Sequence, residues 1–184
     1  MSVQLKLPRT KIDARRITVD DIDTFSAVRR QKGAFDFVKI PEATFKRGVA
    51  RILGEKGDFK DWGGELRDLS STRLTIAGQR RAVAFAFKGP GKTGRLVPGK
   101  MGKNGDQIQR LARCPADVFL VQYWGEIDDS VVEQLELFMR LKAYFEARSV
   151  WYGVIDGSDS ARLIAAYSSK FGAERRTKNG SVKG

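Results

Sequence analysis

Arg81-Ala82-Val83-Ala84-Phe85-Ala86-Phe87-Lys88 is the stretch on which the reading of this chain turns. In extended backbone successive side chains point to opposite faces, so Val83, Phe85 and Phe87 share one face and Ala82, Ala84, Ala86 and Lys88 the other. The larger apolar set suits a core. The small face lets a helix or a substrate approach closely, and it ends on a cation at the strand tip. Upstream, residues 72–76 read as a partner strand across Ala77-Gly78-Gln79-Arg80, which makes a hairpin. Downstream, residues 117–124 and 150–155 are apolar runs of the kind that fills a strand buried on both faces.

Helices are expected between and before these strands. Thr18 reads as an N-cap with Asp21 three residues on, followed by Ile22, Phe25 and Val28. Pro41 sits at a first helical position before Phe45, Val49, Ile52 and Leu53. Ile108, Leu111 and Ala112 line a short helix. The clearest helix is 128–145, with Val131, Leu135, Phe138, Met139 and Phe145 at helical spacing, and 158–171 is the last. The alternation in the second half predicts an α/β fold, a mixed sheet flanked by helices. Residues 1–172 read as a single domain and 173–184 as a basic, mobile tail.

The chain has 184 residues, 34 Lys plus Arg against 22 Asp plus Glu, a net charge of +12, one cysteine and no histidine. No apolar run is long enough to cross a bilayer, and the N-terminus lacks the apolar block of a signal peptide. A lone Cys114 suits a reducing, cytoplasmic setting. The missing histidine excludes Ser-His-Asp and Cys-His nucleophile systems and histidine-based nucleases. Any hydrolysis must then run on carboxylates, lysine, amides and hydroxyls, with water activated by a hard cation such as Mg²⁺ or Mn²⁺. The basic balance favours a nucleic-acid partner.

Three constellations carry this chemistry. Ala86-Phe87-Lys88-Gly89-Pro90-Gly91-Lys92-Thr93 matches a relaxed phosphate-loop pattern, but Gly94, Pro98, Gly99 and Gly102 follow where such a loop needs a helix. The run 88–105 interleaves Lys88, Lys92, Arg95, Lys100 and Lys103 with six glycines, which lets backbone approach phosphate while the cations attract it. Glu65 and Asp68 lie just before the hairpin, where they come near Lys88. Two carboxylates and a lysine at a sheet edge suit a divalent cation and a charged phosphoryl transition state.

In these residues the chain resembles the restriction-endonuclease-like, PD-(D/E)xK nuclease superfamily, over roughly residues 41–125. The resemblance implies a restriction-endonuclease-like mixed sheet and Mg²⁺- or Mn²⁺-dependent cleavage of DNA or RNA. It gives Lys88 the role of the motif lysine and Glu65 or Asp68 that of the upstream acid. Glu55 corresponds to an acid that some members carry in the preceding helix, and Gln107 or Gln109 to a polar residue directed at the site. The position two before the lysine is Ala86 rather than an acid. Three readings stay open: the acid has migrated, so that Glu65 and Asp68 both bind metal; catalysis is lost and the chain is a nucleic-acid-binding subunit; or Ala86 is an introduced change. A homodimer or a larger protein partner is compatible with each. Trp62, Tyr123, Trp124, Trp151 and Tyr152 are candidates for base stacking, with burial the simpler role for all but Trp62.

Overall fold

The computed structural model describes residues 12–56, 68–91 and 93–172. Five strands form one sheet: β1 (Ala14–Arg16), β2 (Leu69–Ile76), β3 (Gln79–Lys88), β4 (Val118–Tyr123) and β5 (Val150–Ile155), in the order β1-β5-β4-β3-β2. β1, β5, β4 and β3 run parallel, and β2 is antiparallel to β3 at one edge. The helices are α1 (Glu42–Ile52), α2 (Gln107–Ala112), α3 (Asp129–Phe145) and α4 (Gly157–Ala166). The fold is therefore α/β, with a mixed sheet flanked by helices.

The alternation read in β3 sorts two cores. Val83, Phe85 and Phe87 pack with Phe45 and Val49 of α1, Leu53 just after it and Leu163 of α4. Ala84 and Ala86 are equally buried, under Ile108 and Leu111 of α2 and Val131, Leu135 and Met139 of α3. The small face therefore receives helices, not substrate, along most of its length. β4 is buried at every position because sheet neighbours lie on both sides and helices on both faces.

Several expectations shift. Ile22, Phe25 and Val28 are fully buried, but not on an α-helix: Phe25 and Val28 lie on a 3-10 segment (Asp23–Arg30), and Ile22 is the extended link between it and the 3-10 turn Val19–Asp21, bridged to Ile76. The spacing of three from Phe25 to Val28 is the 3-10 period. The hairpin turn is tighter than expected: only Ala77 and Gly78 lie between the strands, both at positive φ (50° and 73°), as a two-residue hairpin turn requires. Pro41 is the N-cap of α1 rather than its first residue. The last helix ends at Ala166 and gives way to a 3-10 turn, Ser168–Lys170. Phe145, read as part of the α3 core stripe, is 78% exposed, beside exposed Leu137, Leu141 and Tyr144. β1 was not foreseen.

Among the described residues no helix is long and apolar enough to cross a membrane.

Candidate active site

Because β3 and β4 are parallel and β2 is antiparallel, the end of β3, the end of β4 and the start of β2 meet at one edge of the sheet. Asp68 stands just before β2, and its backbone N–H donates to Phe85 O (2.9 Å), extending the ladder by one bond. Among the described residues β2 supplies no further partner beyond that point. The next two N–H groups on that edge of β3 are taken by carboxylates: Phe87 N donates to Asp68 Oδ2 (2.6 Å) and Gly89 N to Glu42 Oε2 (2.8 Å). Each bond joins a side-chain carboxyl oxygen to a backbone donor.

Gly89 is what lets Glu42 reach. A Cβ there would lie 2.8 Å from Glu42 Cβ and 3.2 Å from Glu42 N, so any side chain would push the first turn of α1 off the strand. Asp68 Oδ2 also accepts from Gln107 Nε2 (3.1 Å), at the first position of α2. Gln107 is only 6% exposed, and its Oε1 has no hydrogen-bond partner among the described residues. Such a buried acceptor is left for water, a cation, a substrate donor or a residue outside those described. Lys88 is half-buried at the tip of β3, and with Pro41, Glu42, Gly89, Pro90 and Gly91 it lines an open cleft of about 520 Å³.

Of the residues expected here, the structure bonds Asp68 to Gln107 and to the backbone of Phe87, while Lys88, next in β3, lines the cleft with Glu42. Glu65 lies outside the described residues, as do Lys92 and Trp62. Gln109 points outward and is exposed. Glu55 is engaged elsewhere: it accepts from Ser71 Oγ (2.6 Å) and lies 3.8 Å from Arg73 Nε. The α1 acid at the site is instead Glu42, at the opposite end of the helix, and the sequence reading missed it.

The basic loop is more tied down than its composition implied. Leu96 and Met101 are fully buried anchors, and Tyr123 donates its hydroxyl to Gly94 O (2.6 Å), burial pushing that phenol's pKa up. Lys100 Nζ donates to Thr93 O and Arg95 O, so it holds the loop closed. Arg95 pairs with Glu126 and Asp128, which raise its pKa. Lys103 remains exposed. No helix starts at Thr93, since the next helical turn is the 3-10 turn Pro98–Lys100, so the geometry of a phosphate loop is missing.

As potential ligands of a hard cation, Asp68, Glu42 and Gln107 Oε1 offer only oxygens, which is the right chemistry for Mg²⁺ or Mn²⁺. Among the described residues there is no cluster of three or more acidic, cysteine or histidine side chains suited to a metal. Mg²⁺ commonly takes one or two carboxylates completed by water and substrate phosphate, and the Asp68 and Glu42 oxygens bond N–H groups about 6.6 Å apart along β3. Comparisons with protein-family models, curated proteins and solved structures find no match, so the fold and the site stand on this chain's own geometry.

Proposed function

We propose that this protein is a metal-dependent nuclease that hydrolyses phosphodiester bonds in DNA or RNA, with a restriction-endonuclease-like core. One observation carries the reading. Asp68 is fixed by Phe87 N–H and Gln107 Nε2 at the sheet edge where β3 ends on Lys88, and Gln107 keeps a buried oxygen without a partner among the described residues. Asp68, Glu42 and Gln107 would hold Mg²⁺ or Mn²⁺, with Glu65 a further proposed ligand. The bound ion would supply Lewis-acid polarisation and a more acidic water. Lys88 would orient the attacking water or stabilise charge developing on the phosphoryl oxygens, and Gln107 would hold Asp68 in register. Lys92 and Lys103 would grip the backbone, with Arg95 and Lys100 shaping the loop that presents them.

A second reading, a binding subunit that keeps the fold without cleavage, is favoured by Ala86. The family's acid position holds a methyl group that is fully buried under α2 and α3. Calorimetric titration with Mn²⁺ separates the two. The nuclease reading expects a saturable site that is weakened at least tenfold in Asp68→Asn and weakened in Glu42→Gln. Equal Mn²⁺ binding by all three proteins, or none by any, favours the binding subunit.

A further inference from the structure

We propose that Phe37, Lys39 and Trp124 form a stacking platform for an unpaired nucleobase beside the candidate active site, so that the substrate is single-stranded or locally unpaired nucleic acid. The inference rests on the nucleic-acid part of the function proposed above.

Residues 33–41 form neither helix nor strand and lead directly into α1. This segment is nevertheless fastened to the C-terminal edge of the sheet. The Phe37 ring lies against Gly157, where a Cβ would come within 2.5 Å of Trp124 O and 2.6 Å of the ring, so glycine at the start of α4 admits both. Lys39 Nζ sits 5.2 Å from the centroid of Trp124, within cation–π range. At the far end of the segment, Glu42 is bonded to Gly89.

Held in this way, Phe37 is still 44% exposed and its neighbour Val38 is 41% exposed. A ring fixed by a tailored contact gives up rotamer freedom without full burial, and a stacked base would supply the missing apolar contact. Trp124 directly follows Tyr123, the cross-strand partner of Lys88. Strand spacing and rise place their backbones about 6 Å apart, within one nucleotide's span of the proposed reacting centre.

Charge fixes the direction of approach. On the flank that begins at Asp156, next to Gly157, Glu126, Asp128, Asp129 and Asp156 line a second cleft in which Arg95 is the one lining cation. Those carboxylates repel phosphate, which leaves the Lys39–Lys88 side as the path for a polyanion. Within a duplex the face of a base is covered by its neighbours, so an aromatic platform rewards bases that are already unstacked.

The test measures binding by the full chain without divalent metal, so that its outcome is independent of cleavage. Fluorescence anisotropy would compare a labelled oligothymidylate with a labelled hairpin duplex at equal ionic strength. Wild type should prefer the single strand. Phe37→Leu keeps apolar bulk without a π face and should weaken single-strand binding about five- to a hundredfold, leaving duplex binding unchanged. Phe37→Trp should retain affinity, and its added indole emission should fall on oligothymidylate binding. Equal affinity for both oligonucleotides, or Phe37→Leu binding like wild type, overturns the platform. So does a wild-type dimer dissolved by Phe37→Leu, which would make the patch a self-interface. Intact stacking without Mn²⁺-dependent cleavage would sink the nuclease and leave the platform standing.

Discussion

Replacing Gly89 by alanine tests whether α1 is docked on the tip of β3 as described. The backbone of Gly89 is not in the left-handed region, so alanine is permitted by conformation and only space decides. The added methyl would sit 2.8 Å from Glu42 Cβ, where carbon–carbon contacts prefer about 3.5–4.0 Å. The first turn of α1 must therefore retreat by about 1 Å, or the strand tip must bend. Overpacking of this kind costs about 1–3 kcal/mol, and the Gly89 N–H bond to Glu42 stretches with it. Urea unfolding should show a lowered midpoint with an unchanged slope. Misplacement of about 1 Å near a reacting centre costs roughly a hundredfold in rate, so cleavage should fall further than stability alone accounts for. Gly91→Ala is the control, because a methyl there meets nothing within 4 Å. A Gly89→Ala protein with the stability and Mn²⁺ affinity of wild type would refute the docking, and with it the place of Glu42 in the site.

Asp159 is raised in pKa by burial first and then by the charge of Asp156, against the pull of Arg162. A raised carboxyl stabilises the fold below its unfolded value and loses that contribution as pH climbs through the folded one. Asp159→Asn should therefore be more stable than wild type at pH 7 in urea melts, with the gap closing as pH falls toward the ordinary 3.8. Asp20, lowered chiefly by its hydrogen bond from Arg162, loses its contribution as pH falls below that range; both proteins share this loss. The loop cations should divide by role in titrations at several salt concentrations. Lys103→Ala should reduce the slope of log affinity against log salt by about 0.9 with stability unchanged. Lys100→Ala, which removes the bonds to Thr93 O and Arg95 O, should cost about 1 kcal/mol of stability.

Elements with long, strongly patterned sequences were legible. The alternation of β3, the apolar runs of β4 and β5 and the stripes of α1 and α3 each appear where periodicity placed them, within a residue or two at their ends. β1 escaped because Ala14-Arg15-Arg16 carries no alternation; the strand exists through its parallel bonds to β5, a purely tertiary cause. Phe145 lies with Leu137, Leu141 and Tyr144 on the exposed face of α3, while Lys142 and Ala143 of the same turn are buried. At the site, Asp68, Lys88 and Gln107 were legible because hairpin register and one short helix bring them to one edge of the sheet. Glu42 was not, since its contact spans 47 residues of sequence and depends on the missing side chain of Gly89. The loop anchors Leu96 and Met101 were hidden by the charge around them. Composition marks the cations of a loop, while two buried apolar side chains set its shape.

The most direct test is a time course of cleavage with labelled single-stranded and duplex DNA and RNA in Mn²⁺, comparing wild type with Asp68→Asn. The variant nearly preserves shape and retains an acceptor for Phe87 N–H, so circular dichroism should show it folded. Wild type is predicted to cut at least one substrate and to stop when the metal is chelated, with Asp68→Asn slower by about a hundredfold or more. Wild-type protein that cuts none of these substrates, or Asp68→Asn that cuts as fast as wild type, would contradict the account.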